Sequence, residues 1–314
     1  MFDFTSVRGP AGAPHHDIAR PSTHRTDSAG RLGPTGPPGH PRHLAPRHHA
    51  GAAPRTRRLR GLVGVLSAAT LLVGTVSTAD AADAASSSAP GSGNGWQRTY
   101  VDDFSGALDT GDWSRYEGRA AGDPSTTWQR EQVSVSDGKL VLRSQKTSAG
   151  WRSGGVSNAR AGSQRYGKWL IRFRADAGDG LGYVFLLYPQ GGGWPPEVDI
   201  AENGGGDKRD VLGALHYDDA QGTHQRVHKR LSGVDFTQWH TVGVETSPGK
   251  IVWTLDGRAW ATAWTSGVPD ESMWLGLQSM VETRCSGTAR LCVNSSTPRS
   301  ADVEVDWVAR YKRS

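Results

Sequence analysis

Short runs in which apolar and polar residues alternate recur along the last two thirds of the chain. Residues 139–143, 166–174, 251–255 and 303–311 show the alternation clearly, with β-branched and aromatic side chains at many apolar positions. A period of two places every second side chain on one face of a β-strand. Gly, Asp, Ser and Pro separate the runs, and helical spacing with caps is missing from the sequence. The pattern predicts an all-β fold, an antiparallel β-sandwich (β-jelly roll), over residues 97–314.

The first 96 residues have a different composition, which predicts three segments. Residues 1–54 are rich in Pro, His, Arg, Gly and Ala without apolar periodicity, so we expect a disordered extension. Residues 55–81 combine a basic start, an apolar run and a small-x-small site, which is typical of a cleaved secretory signal. Residues 82–96 are rich in Ala, Ser and Gly and predict a linker. We therefore expect a secreted, extracellular protein; an uncleaved anchor and twin-arginine export are the alternatives.

The formal net charge of +5 is unevenly distributed along the chain. Residues 1–60 carry ten Arg and three Asp, a balance of +7, which leaves 26 basic and 28 acidic residues, or −2, in residues 61–314. The basic character therefore belongs to the N-terminal segments and gives no reason to expect nucleic-acid binding by the folded domain. After the signal, the sequence has no segment apolar enough to predict a membrane span.

The chain has two cysteines, Cys285 and Cys292, and both follow the predicted signal. In an exported protein, two cysteines seven positions apart most simply form a disulfide that closes one loop. The alternatives are a two-cysteine metal site without nearby His and a catalytic thiol, and the pattern favours both less.

Three carboxylates, Glu197, Asp199 and Glu202, lie within six residues. On a regular strand Glu197 and Asp199 share a face, whereas Glu202 points to the other face. One extra, bulged residue between Asp199 and Glu202 would return Glu202 to the face of the other two. Like charges this close raise at least one carboxyl pKa, and a pair of carboxyl groups with different pKa values is what acid–base cleavage of a glycosidic bond requires. A solvent-facing acidic strand is the alternative.

The expected spacing of the outer two acids suits that chemistry. With the bulge, the Cα atoms of Glu197 and Glu202 are roughly 13 Å apart, at about 3.3 Å per residue. Side chains that lean inward bring the carboxyl groups to roughly 5–5.5 Å, the separation that goes with retention of anomeric configuration. Trp194, which precedes two prolines beside the acids, is a candidate platform for a sugar ring.

The acidic segment resembles the active-site signature of glycoside hydrolase family 16 in its bulged form, Glu-x-Asp-x-x-Glu, which is typical of laminarinase-like members. The resemblance covers most of residues 99–312. Other landmarks follow in the order of the family: residues 102–104, 154–157, 166–169, 216–217, 235–257 and 305–308. The resemblance implies a β-jelly roll with a concave substrate cleft. It also implies a retaining, endo-acting glycosidase that cleaves β-1,3- or mixed β-1,3/1,4-glucan by double displacement.

By this resemblance, Glu197 is the nucleophile, and Glu202 is the general acid and then the general base. Asp199 hydrogen-bonds to the nucleophile and tunes its ionisation. Family members commonly have Gly where this chain has Pro196, and many have Trp where it has Leu186. These two differences lie near the substrate, so they leave the identity of the polysaccharide open.

Four further residues are candidates for substrate binding: Trp194, His216, Gln278 and Asn158. His216 is expected to contact Asp199 or the substrate, with a purely structural role as the alternative. Gln278 and Asn158 are candidates for hydroxyl recognition.

The resemblance implies a polysaccharide partner, no required cofactor and a possible structural Ca²⁺ away from the site. We expect a monomer. Two other functions stay open on the same fold: a non-hydrolytic, lectin-like glucan-binding protein, and a transglycosylase or an enzyme that modifies an exopolysaccharide. Loss of one or both glutamates would have favoured the lectin-like protein, whereas both are present.

Overall fold

The computed structural model describes residues 88–119, 126–283 and 289–314. The predicted extension, the predicted signal segment and the first residues of the predicted linker lie outside these ranges. The described residues form eighteen β-strands: β1 (Trp96–Asp102), β2 (Ser114–Arg115), β3 (Gly118–Arg119), β4 (Thr127–Trp128), β5 (Val133–Ser136), β6 (Lys139–Thr147), β7 (Gly150–Arg152), β8 (Gly155–Ser157), β9 (Gly167–Ala175), β10 (Leu181–Pro189), β11 (Glu197–Asn203), β12 (Asp210–Asp218), β13 (His224–Ser232), β14 (His240–Ser247), β15 (Lys250–Leu255), β16 (Arg258–Trp264), β17 (Met273–Val281) and β18 (Ser300–Arg313). They also contain three single-turn 3-10 helices: Arg130–Gln132, Ala159–Ala161 and Ala289–Leu291.

Most of these strands belong to two antiparallel sheets. The nine-stranded sheet has the order β16-β15-β14-β9-β18-β6-β5, with β1 also paired to β18 and β7 to β6. The seven-stranded sheet has the order β13-β12-β11-β10-β17-β8-β2, and β3 pairs with β4 separately. The four runs with the clearest alternation in the sequence lie in β6, β9, β15 and β18, all in the nine-stranded sheet. The predicted antiparallel β-sandwich is confirmed.

The two sheets share one hydrophobic core. Trp169 and Trp253 enter it from the nine-stranded sheet, and Phe185 and Leu215 enter it from the seven-stranded sheet. Each of these side chains is almost completely buried, as expected when alternate residues of two facing sheets interdigitate. The other face of the seven-stranded sheet is thereby left free to carry the acidic residues.

Residues near the start of β1 contact the end of the domain. The backbone oxygen of Ala89 accepts a hydrogen bond from Arg98 (3.1 Å), and that of Pro90 accepts one from the Tyr311 hydroxyl (2.7 Å). The last residues of the predicted linker are therefore tied to β1 and β18. Within the described ranges, the helices are all too short or too polar to cross a membrane.

Cys292 is disulfide-bonded. Its predicted partner, Cys285, lies outside the described residues. Cys292 itself is buried and follows the last 3-10 helix, Ala289–Leu291.

Candidate active site

Strand β11 carries all three acids and contains the predicted irregularity. Relative to β12, Asp199 lies opposite Ala214 and Glu202 lies opposite Leu212, with a register shift between the two pairs. Two residues of β11 therefore span the place of one residue of β12, which defines a β-bulge. The extra residue predicted between Asp199 and Glu202 is confirmed, and it returns Glu202 to the face that also carries Glu197.

The two faces of β11 have opposite character. Val198, Ile200 and Ala201 point into the core between the sheets. Glu197, Asp199 and Glu202 line one cavity of about 160 Å³ on the other side of the sheet, and this cavity is partly open to solvent. The three acids are between 4% and 8% exposed. The acids therefore form the floor of a depression, as expected for groups that act on a bound ligand.

A tryptophan of the opposing sheet supports the bulge. The Nε1 of Trp253 on β15 donates a 2.9 Å hydrogen bond to the backbone oxygen of Asp199. Gly213 on β12 makes room for this indole, because a Cβ at that position would lie 2.5 Å from Cδ1 of Trp253. The sequence places Trp253 on the apolar face of the alternating run 251–255, in agreement with its burial. It gave no sign of the hydrogen bond, because the acceptor lies on the other sheet.

Trp194 reaches the first acid directly. Its Nε1 donates a 2.6 Å hydrogen bond to Oε2 of Glu197. The indole also packs against two imidazoles, with ring centroids 4.7 Å from His224 and 5.5 Å from His216. The predicted proximity of Trp194 to the acids is therefore observed. Its role as a sugar platform stays a prediction.

His216 connects the acids to the edge of the sheet. It lies opposite Glu197 in the pairing of β11 with β12. Its Nε2 is 3.5 Å from Oδ2 of Asp199, and its Nδ1 is 3.1 Å from Nε2 of His224. The expected proximity of His216 to Asp199 is present, and both imidazoles belong to the site.

The remaining two candidates lie in different surroundings. Gln278 on β17 pairs with Val184 on β10, and Val184 pairs with Glu202, so Gln278 and Glu202 share a row and a face of the sheet. Gln278 is buried, and its Oε1 accepts no hydrogen bond within the described residues. Asn158 follows β8 and is buried beside Tyr100. Neither amide lines the cavity of the acids. Gln278 lies nearer to the acids than Asn158 in the sheet, because it shares a row with Glu202.

Burial changes the ionisation of both glutamates. Burial and the nearby Asp199 raise the pKa of Glu202 to about 8, against the opposing charges of Arg226 and Arg230. Burial, helped by Asp199 and Glu202, raises the pKa of Glu197 well above its ordinary value, while the hydrogen bond from Trp194 opposes the rise. Two adjacent carboxyl groups that resist ionisation in this way retain a proton near neutral pH. The site is therefore equipped to donate one.

Three basic residues of β13 also line the cavity: Arg226, His228 and Arg230. Because β12 separates β13 from β11, each basic residue falls into register with one acid. The three rows are Glu197–His216–Arg226, Asp199–Ala214–His228 and Glu202–Leu212–Arg230. Sequence reasoning missed these residues, although His or Arg at every second position of 224–230 was a usable signal.

Sequence comparison agrees with this geometry. The family model described as "Glycosyl hydrolases family 16" matches residues 121–308, more than half of the chain. The chain belongs to glycosyl hydrolase family 16. Within family 16, the bulged arrangement of its acids is that of the laminarinase-like members, as the sequence predicted.

Curated relatives of this family 16 chain carry glucan-degrading names. It is 26% identical over 161 residues to "Endo-1,3-1,4-beta-glycanase ExsH" of Rhizobium meliloti (strain 1021), covering 51% of this chain and 33% of that protein. It is 32% identical over 143 residues to "Glucan endo-1,3-beta-glucosidase" of Cryptopygus antarcticus, covering 40% of this chain and 52% of that protein. The chain thus spans between one third and about half of the length of these relatives.

Solved structures show the same fold. The laminarinase catalytic domain from Thermotoga maritima MSB8 matches with a TM-score of 0.60 and 23% sequence identity, covering 70% of this chain and 99% of that one. At this identity the likeness concerns the fold.

The expected structural calcium would need a group of oxygen ligands. In the part of the chain that the structure describes, His, Cys, Asp and Glu side chains form no cluster of three or more that could hold a metal ion. The structural calcium therefore stays an expectation from the family resemblance.

Proposed function

We propose that this family 16 protein is a retaining, endo-acting β-glucanase that cleaves β-1,3- or mixed β-1,3/1,4-glucan. The observation that carries the proposal is the bulge of β11, which sets Glu197, Asp199 and Glu202 on one side of the strand in one cavity. The names of the curated relatives support a β-glucan as the polysaccharide.

A difference in hydrogen bonding between the two glutamates supports different roles for them in the first step. Glu197 accepts the hydrogen bond from Trp194, which stabilises its ionised form. The Glu202 carboxyl receives no hydrogen bond from the described residues, so the proton is better held there. Glu197 then attacks the anomeric carbon, the bond from that carbon to the glycosidic oxygen breaks, and Glu202 donates its proton to the leaving oxygen.

In the second step the roles of Glu202 reverse. Its carboxylate takes a proton from water, the water oxygen bonds to the anomeric carbon, and the ester bond to Glu197 breaks. The two displacements together retain the anomeric configuration. Asp199, within 3.5 Å of His216, supplies the fixed negative charge between the two glutamates that helps to keep Glu202 protonated before each cycle.

The place of action proposed for this enzyme is outside the cell. Residues 55–81 have the features of a secretory signal, and residues 82–96 have those of a linker before the catalytic domain. A polymeric glucan is too large to enter a cell freely, so an exported enzyme suits such a substrate. Mass spectrometry of the N-terminus of protein recovered from culture medium tests both export and the site of cleavage.

Chemical rescue tests the assignment of the two glutamates. Glu197→Ala should lower the release of reducing ends from laminarin and barley glucan by at least about 10³-fold. With an activated aryl β-glucoside and azide, Glu197→Ala should form the α-glycosyl azide, because azide occupies the place of the missing carboxylate. Glu202→Ala should form the β-glycosyl azide, because azide replaces water in the second step.

Glu131, an exposed carboxylate within the 3-10 helix Arg130–Gln132, supplies the control for this experiment. Glu131→Ala should behave like the unmodified protein with every substrate. Unchanged hydrolysis by Glu197→Ala, or the same azide anomer from both glutamate variants, would reject the assignment.

A further inference from the structure

We propose that the part of the cleft on the β13 side of the acids binds a sugar unit that carries an anionic group, so that the enzyme prefers an acidic β-glucan. The inference rests on the proposed function and specifies its substrate class. The anionic group is a carboxylate on the sugar or a sulfate ester, since both present oxygen atoms that a guanidinium can bind in pairs.

The register of the sheet places three basic residues of β13 on the side of the sheet that carries the acids. Arg226, His228 and Arg230 occupy alternate positions of β13, and all three line the same cavity as the acids. β13 lies two strands from β11, which corresponds to about 10 Å at the usual strand spacing. Among the described residues these basic side chains form no ion pair with a catalytic carboxyl group, and the distance leaves space between the two strands for part of a sugar ring.

The two arginines differ in their bonding partners. Arg230 forms an ion pair with Asp210, whose Oδ1 also accepts a 2.8 Å hydrogen bond from Asn203. Arg226 is half-buried, and none of the described residues accepts a hydrogen bond from its guanidinium. A guanidinium has five N–H donors in a fixed fork, which matches the paired oxygen atoms of a carboxylate or a sulfate. The uncommitted donors of Arg226 therefore point to a ligand with acceptor oxygens.

The neighbouring carboxylates do not rule out an anion at this position. Asp210 is neutralised by Arg230, and Glu202 holds the catalytic proton in the proposed resting state. Glu197 and Asp199 lie on β11, two strands from β13, which corresponds to about 10 Å at the usual strand spacing. An anionic group at the edge of the sheet meets Arg226 at short range and the catalytic acids only at long range.

The side of the cleft opposite to β13 is apolar and aromatic. There the cleft face of β10 and β17 carries an apolar cluster with the indole of Trp194 packed against it. Its buried members are Val184, Leu186, Tyr188, Trp274 and Met280. Aromatic and apolar surface suits the face of an uncharged sugar ring. The site thus has one side suited to a neutral unit and another suited to a charged unit.

Three matched substrates test the proposal: laminarin, laminarin partly oxidised at C6 to the carboxylate, and laminarin partly sulfated. We expect the full chain to have a higher kcat/KM on at least one anionic substrate than on laminarin at about 20 mM NaCl, with the preference reduced at about 300 mM NaCl. Arg226→Gln should lower the ratio of anionic to neutral kcat/KM roughly tenfold, on the scale of one charge-assisted hydrogen bond. The favoured substrate distinguishes a carboxylate from a sulfate.

Lys229 supplies the matched control, because it lies on the same strand, is exposed and does not line the cavity. Lys229→Gln removes the same charge and should leave the ratio unchanged. The proposal is overturned if laminarin is preferred over both anionic substrates, or if Arg226→Gln slows all three substrates equally. The second result would mean that Arg226 acts only through the charge of Glu202.

Failure of the proposed function gives a different result. If the unmodified chain hydrolyses none of the three polymers, the hydrolase assignment fails, and affinity electrophoresis in gels containing each polymer then tests the anion site alone. Retardation by an anionic polymer that disappears in Arg226→Gln, but not in Lys229→Gln, supports the anion site. Equal migration of all variants in every gel overturns it.

Discussion

The Nε1 of Trp253 donates a 2.9 Å hydrogen bond to the backbone oxygen of Asp199, across the core of the sandwich. A β-bulge interrupts the regular ladder of backbone hydrogen bonds, and a buried carbonyl without a partner is costly. Trp253 satisfies the carbonyl at the point where the bulge begins. The position of the acids in the cleft is therefore coupled to the packing of the nine-stranded sheet.

We expect Trp253→Phe to disturb the site although Trp253 lies outside the cavity. Loss of the hydrogen bond should lower kcat about tenfold with a smaller change in KM, since the orientation of the acids is affected more than glucan binding. Trp169→Phe is the matched control, because Trp169 is equally buried in the same sheet and its Nε1 has no hydrogen-bond partner among the described residues. Equal losses of kcat in the two variants would contradict a positioning role for Trp253.

Trp194→Phe should change the acidic side of the pH–rate profile. The Trp194 hydrogen bond stabilises the ionised form of Glu197, so its loss raises the pKa of that carboxyl group. The acidic limb of kcat/KM should then move to higher pH by up to about one unit, with a lower plateau. Trp264→Phe, at a tryptophan 74% exposed on β16, should leave the profile unchanged. An unshifted acidic limb in Trp194→Phe would show that the hydrogen bond does not control Glu197.

The alkaline limb should report on Glu202. Its pKa is raised to about 8, and the general acid must carry its proton in the first step, so kcat/KM should fall about tenfold per pH unit above that value. Arg226 and Arg230 lower this pKa, so Arg226→Gln should move the limb to still higher pH. Profiles measured from pH 4 to 10 on laminarin test both statements. A limb that moves to lower pH in Arg226→Gln would contradict the assigned interaction.

Glu202→Gln should be more stable than the unmodified protein in alkaline solution. A carboxyl pKa raised in the folded state means that the folded protein binds more protons than the unfolded chain between about pH 4.5 and 8, so stability falls as pH rises through this window. Glutamine removes that penalty, which amounts to several kcal/mol at pH 9 for a pKa raised from about 4.5 to about 8. Thermal unfolding at pH 9 should show a Tm higher by several degrees, with little difference at pH 4. A Tm gain of the same size at both pH values would mean that the effect is not ionisation.

Much of the catalytic strand could be predicted from local sequence. The alternation of Val198 and Ile200 with Glu197 and Asp199 determines which side faces the core, and the parity of Glu202 requires one extra residue. Such inferences succeed because side chains on a strand alternate with a fixed period.

Other parts of the site depend on which strands become neighbours, and local sequence does not contain that information. The partnership of Trp253 with Asp199 requires one particular packing of two sheets. Arg226 and Arg230 meet the acids only because β13 pairs with β12 in one register. Taken alone, their strand resembles an ordinary solvated edge, where charged residues are common.

The difference between the two flanks of the acids also affects how a polymer binds along the groove. A groove with identical flanks would accept an alternating polymer in either of two phases, one unit apart. Here aromatic surface occupies one flank and guanidinium groups occupy the other. A polymer that alternates neutral and charged units fits this groove in one phase, so we expect cuts once per repeat and fragments of uniform length.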